Sequence, residues 1–182
     1  MPETPVPDEP TLDEQIAAYQ REFRDLDPQV EKVVSALDRL NRRMNVGYGR
    51  QLAELGISKT EWEVLKTLVL GGAPYRMGPG ELAKRLGLTP AAMTHRIDRM
   101  AADGFVTRDR DESNRVRVIV ELTDEGRTKW LEAMRMASTF EGGLLQDLSD
   151  QDRGALGEML TVLLRRVEDA QPDAGGRLTD LD

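Results

Sequence analysis

Between residues 78 and 126 the apolar positions change period. Leu82, Ala83 and Leu86 stand at helical spacing within 78–87, behind Pro79, which suits a first helical position because its missing N–H has no partner to lose there. Gly87 reads as a left-handed stop. Thr89-Pro90 then supplies an N-cap hydroxyl and a second helix-opening proline, and Met93, Ile97 and Met100 keep helical spacing through 91–103, until Gly104. Beyond it the period drops to two. Phe105-Val106-Thr107 and 116–122, where Val116, Val118 and Val120 alternate with Arg117, Ile119 and Glu121, carry the β-branched enrichment of a hairpin, with a charged tip over 108–115.

Helical periodicity flanks this block on both sides. Leu12, Ile16, Tyr19, Phe23 and Leu26 recur at spacings of four and three, and Pro28 starts a second helix with Val30, Val33, Val34, Leu37, Leu40 and Met44 on one stripe. Ser58 and Glu61 form a capping box for a third, running to about Leu70 through Trp62, Leu65 and Leu68. After the hairpin, Thr123 caps a long helix bearing Trp130, Leu131, Met134, Ala137, Phe140 and Leu144. Ser149 with Asp152 opens a last one bearing Leu156, Met159, Leu160, Leu163 and Val167. Any one of these stripes fits burial inside its own chain. Together they hold more apolar surface than one small module can cover, which points to a partner chain.

The order helix, turn, helix, hairpin is that of a winged helix. The expected fold is therefore mainly α with a small β-hairpin wing: a winged helix-turn-helix over 57–123, dimerisation helices over 11–56 and 124–170, and loose ends at 1–10 and 171–182, where Pro, Gly and Asp occur without periodicity. A charged hairpin tip on its own is as much a solvated loop as a ligand contact; directly after a helix-turn-helix it reads as a wing.

Composition narrows the chemistry. At 182 residues and 39% apolar, the chain is long and apolar enough for a core. It has no cysteine, which removes disulfides, thiolate metal sites and thiol-based peroxide sensing. Its single histidine leaves a zinc site little but carboxylates to draw on. That histidine, His95, lies between Thr94 and Arg96 with no nucleophile set beside it by any motif, so a catalytic role has no support; paired carboxylates and a nucleotide loop are missing too, and no enzyme is expected. No basic segment precedes an apolar run at the N-terminus and no stretch approaches membrane-spanning length, so a cytoplasmic protein with no membrane partner is expected.

The net charge of −8 looks wrong for a nucleic-acid binder until it is divided. Residues 75–117 hold nine basic side chains against six acidic ones, a local +3, which leaves −11 on the remainder. Such a split places a positive face on an otherwise acidic body. Thr94, His95, Arg96 and Arg99 stand between the apolar positions of the second helix, with donors long enough to reach base edges or phosphates.

These residues resemble those of the MarR family of bacterial winged-helix transcription regulators. The resemblance covers roughly 30–168. It rests on Gly80-Glu81-Leu82-Ala83, on Met93-Thr94-His95-Arg96-Ile97-Asp98-Arg99-Met100 followed by Asp103-Gly104-Phe105-Val106, and on the wing. In the family the wing is commonly V-x-R-x-x-D-P-x-D-R-R, closing on L-T-x-x-G. Here it is Val106, Arg108, Asp111, Glu112, Asn114, Arg115 and Val116, with Leu122, Thr123 and Gly126; Glu112 replaces the proline, Asn114 the aspartate and Val116 the second arginine. The resemblance implies a twofold homodimer on an inverted repeat of double-stranded DNA, acting as a repressor released by a small-molecule effector. Thr94, His95 and Arg96 would read bases, while Thr89, Arg99 and the helix start at Pro90 and Ala91 would hold phosphates. Arg115, with Arg117, would enter the minor groove.

No cofactor is implied beyond a possible small aromatic or anionic effector, for which no binding residues are assigned. The segment 19–27 and the loop 72–77 resemble the urate- and trans-aconitate-responsive subgroup, with Tyr19 where that subgroup often has tryptophan. A winged helix used for protein contact without DNA is the alternative left open by the residues themselves.

Overall fold

The computed structural model describes residues 9–110 and 118–171. The chain divides into two compact units, Met1–Tyr48 and Gly49–Asp182, each taken by itself below.

In the first unit α1 (Leu12–Glu22) opens on a complete capping box: Glu14 N–H donates to Thr11 Oγ1 and Thr11 N–H donates back to the Glu14 carboxylate at 2.8 Å. The helix ends at Phe23, which has extended backbone. The predicted stripe therefore overruns the helix: Phe23 and Leu26 lie beyond its last turn, and Ile16 is the stripe's buried residue. Helix α2 (Pro28–Glu54), whose residues from Gly49 on belong to the second unit, begins at the predicted proline, with the Asp27 carboxylate accepting from Gln29 N–H at 2.8 Å. The amide of Gln15 ties the two helices, donating to Ser35 Oγ at 2.9 Å and accepting from Arg39 at 2.8 Å. Ahead of α1, the Glu9 carboxylate meets Arg43 at 2.6 Å and Arg39 and Arg42 at 3.3 Å each. Val30, Val33, Val34, Leu37 and Leu40 on α2 are exposed.

The second unit holds α3 (Lys59–Leu70), β1 (Arg76–Met77), α4 (Pro79–Arg85), α5 (Pro90–Ala102), β2 (Val106–Arg110), β3 (Val118–Leu122), α6 (Asp124–Leu144) and α7 (Asp150–Ala170). Its core is the apolar set the periodicity picks out: Leu65 and Leu68 from α3, Leu82 from α4, Met93, Ile97 and Met100 from α5, all fully buried, joined by Val120 of β3. The strands form an antiparallel sheet in the order β1-β3-β2, with Met77 opposite Val120 and Val106 opposite Leu122.

Three features depart from the sequence pattern. Strand β1 has two residues, too few to show a period. Strand β2 continues to Arg110, so Arg108, Asp109 and Arg110 pair with Val120, Ile119 and Val118 instead of belonging to the tip. On α6 the buried side chain is Ala133, between the predicted stripe positions, while Met134 and Leu144 are exposed. Helix α7, capped by Ser149 as expected, buries none of its residues. Among the described residues no helix is long and apolar enough to cross a membrane.

Candidate nucleic-acid interface

Helices α4 and α5 are joined by Gly87, whose φ of 66° lets the chain reverse in one step. Leu88 N–H then reaches back to the Ala83 carbonyl at 2.9 Å, which closes the end of α4. Thr89 follows with extended backbone and its Oγ1 accepts from Ala92 N–H at 3.2 Å. Pro90 occupies the first helical position, so α5 starts abruptly, with Thr89, Pro90, Ala91 and Ala92 all exposed at its N-terminus.

Burial of Met93, Ile97 and Met100 turns the opposite face of α5 to solvent, and that face carries Ala91, Thr94, His95, Asp98 and Arg99. Thr94 Oγ1 donates to the Pro90 carbonyl at 2.9 Å, so its hydroxyl proton is used within the helix. Asp98 accepts from Arg108 of β2 at 2.7 Å, which ties the helix to the strand leading into the wing.

Arg96 does not join this face. Its guanidinium turns toward the N-terminus of α3 and donates to Ser58 Oγ and to the Glu61 carboxylate, both at 3.3 Å. Arg99 Nε approaches the same Glu61 oxygen at 3.3 Å, with Asp103 at 3.9 Å on its other side. Glu61 is 1% exposed and Arg96 26% in their side chains, against 57% for Arg99. Burial pushes the Glu61 carboxyl up. Ser58 N–H and Oγ, donating at 2.7 and 2.8 Å, together with Arg96 and Arg99, outweigh that and hold it below the usual carboxylate range.

The structure thus brings Thr89, Pro90, Ala91, Thr94, His95 and Arg99 to one exposed helix surface and withdraws Arg96 from it. The reason is a buried carboxylate that sequence reading sees only as a capping residue. Glu61 and Arg96 are 35 positions apart, and no periodic signal links them. Arg115 and Arg117 lie outside the described residues. Among the described residues no group of three or more His, Asp or Glu side chains is placed to hold a metal ion.

Comparison with known proteins identifies the family. The sequence profile of the MarR family matches residues 57–118. The chain is 25% identical over 152 residues to the HTH-type transcriptional repressor YetL of Bacillus subtilis, covering 84% of this chain and 90% of that protein. It is 33% identical over 127 residues to the uncharacterized HTH-type transcriptional regulator YkoM of the same organism, covering 65% of this chain and 72% of YkoM. Among solved structures, YusO of Bacillus subtilis superposes with a TM-score of 0.67 at 20% identity, over 78% of this chain and 98% of that one, a likeness of fold. A capped recognition-type helix beside a three-stranded wing sheet, in a chain with these relatives, leads to one assignment: the protein belongs to the MarR family and is a winged-helix transcription regulator.

Proposed function

We propose that the protein acts as a homodimeric repressor in the cytoplasm, laying α5 of each subunit into the major groove of an inverted-repeat operator. The observation that carries this reading is the exposed face of α5, set opposite three fully buried core residues and opening on a solvent-exposed first turn at Thr89 to Ala92. Such a helix start attracts phosphate, and a helix of this diameter fits the major groove. Thr94 and His95 contact base edges, and Thr89, Pro90, Ala91 and Arg99 sit at the phosphates. Arg115 and Arg117 enter the minor groove on the wing. Arg96 is reassigned from base reading to holding α5 against α3, because its guanidinium is already engaged.

The dimer is supported by apolar side chains that the single chain leaves in water, among them Val30, Val34 and Leu40 on α2 and Met159, Leu163 and Val167 on α7. Residues 11–56 and 124–170 supply the dimer contacts. Twofold symmetry then spaces the half-sites by whole turns of duplex, roughly 34 to 36 Å each. A small aromatic or anionic effector releases the DNA.

Fluorescence anisotropy with the duplex lying upstream of the protein's own gene tests this, in competition with random-sequence duplex. Preferred binding of two chains per site is the expected result. Equal affinity for both duplexes, or no binding to either, overturns it.

A further inference from the structure

We propose that Glu61 is a positioning residue for DNA discrimination: its buried carboxylate withholds Arg96 and restrains Arg99, so that α5 meets DNA with less free positive charge than its sequence carries. The inference rests on the reading that α5 is the DNA-contacting helix.

The geometry is specific. Glu61 belongs to α3, yet it spends one oxygen on the α3 cap, accepting from Ser58 N–H and Oγ, and the other on α5, facing Arg96 and Arg99 at 3.3 Å each. A capping box needs only the first of these. The second lies between two arginines three positions apart, hence on one side of α5, and it stands almost wholly out of water. A carboxylate so placed acts on the helix as a counterion in a fixed position. Asp98 repeats the arrangement at the surface by taking the Arg108 guanidinium at 2.7 Å.

Free arginines on a recognition helix find phosphates on any duplex, which strengthens binding without regard to sequence. Tying Arg96 back leaves discrimination to Thr94 and His95, side chains that must match the base edge they touch. Glu61 therefore lowers affinity for random DNA more than for the correct site.

The test uses the full-length protein, a random-sequence duplex, and a duplex enriched from a randomised pool by the wild-type protein. Each releasable arginine adds roughly 0.9 to the slope of log affinity against log salt, so a freed Arg96 makes the loss between 50 and 200 mM salt about 3-fold larger. Glu61→Gln, which keeps the side chain's size and one acceptor for the cap, is expected to steepen the slope on random duplex by that amount and to narrow the gap between the two duplexes. Adding Arg96→Gln to it is expected to remove the extra slope. Ser58→Ala, which weakens the cap and removes one of the two acceptors of Arg96 but keeps the carboxylate, is expected to lower stability and to steepen the slope less than Glu61→Gln does.

A folded Glu61→Gln protein with the wild-type slope and the wild-type gap overturns the proposal. Should that variant not fold, Arg96→Gln alone decides: an unchanged slope on random duplex supports a withheld guanidinium, and a fall of about one overturns it by placing Arg96 on a phosphate. Failure of the wild-type protein to bind either duplex sinks the DNA reading itself, a different outcome from an unaltered slope.

Discussion

Gly126 shows how closely a single position can be determined. A Cβ built there lies 2.0 Å from the Phe105 carbonyl oxygen, because the first turn of α6 is drawn against the residue preceding β2 by Thr123, which donates to the Gly104 carbonyl at 2.7 Å and to the Phe105 carbonyl through its N–H at 3.2 Å. The obstruction is backbone, which does not swing aside. Gly126→Ala is expected to cost about 1 to 3 kcal/mol, read as a fall of several degrees in the thermal midpoint. Glu61 carries the residue-scale dependence on pH. Its carboxyl is held below its ordinary range in the folded chain, so its contribution is fully present above the unfolded pKa and is lost as pH falls through the folded one. Urea melts between pH 7 and pH 3 are expected to show stability falling with acid, and Glu61→Gln is expected to flatten part of that fall. Little of this was legible beforehand. The L-T-x-x-G spacing marks Gly126 but not the carbonyl it must admit, and Ser58-x-x-Glu61 marks a cap but not the arginines that arrive from another helix.

At the scale of elements, legibility follows from how local the determinants are. Helices α4 and α5 could be read because prolines, caps, closing glycines and periodic core positions all lie inside them, and the structure keeps Thr89 as the cap and Met93, Ile97 and Met100 as the buried stripe. Strand β1 could not, since its two residues are strand only through pairing with Val120 and Glu121, more than forty positions away. The extension of β2 to Arg110 has the same origin: a charged run is loop by composition and strand by its partner. Tyr75 is a sharper instance. It adopts a φ of 59°, unusual for an aromatic residue, at the head of β1, where its carbonyl accepts from Leu122 N–H and Arg127 lies over its ring at 5.9 Å. Thr89→Ala tests the α5 cap. Loss of the hydroxyl that accepts from Ala92 is expected to cost about 1 kcal/mol and to weaken binding to the selected duplex, with circular dichroism and anisotropy as the two measurements.

For the whole molecule, the sequence held the fold class and the family, and its surplus of apolar stripes stands in the single chain as exposed side chains on α2 and α7. Helix α7 carries Leu156, Met159, Leu160, Leu163 and Val167 at helical spacing; in the single chain nothing on it is buried, and Leu160 and Leu163 are exposed together with Met159 and Leu164. A substitution there should leave the subunit's own core untouched. Leu160→Glu is expected to retain the helical circular dichroism of the wild type while light scattering after size-exclusion chromatography shows the mass of one chain, 20.4 kDa, in place of two. A mass unchanged from that of the wild type would place the association surface elsewhere.

The tether ahead of α1 bears on how the protein should be handled. Glu9 draws three guanidiniums of α2 onto one carboxylate, and the hydrogen bond from Arg43 leads in holding that carboxyl below its ordinary range. A protease nick that removes Glu9 takes away the carboxylate of Arg43 and leaves Arg42 to Asp38 and Arg39 to Gln15 alone. Trimming the N-terminus, the routine first step toward better crystals, would thus loosen the unit it is meant to tidy, and a purification handle belongs at the other end.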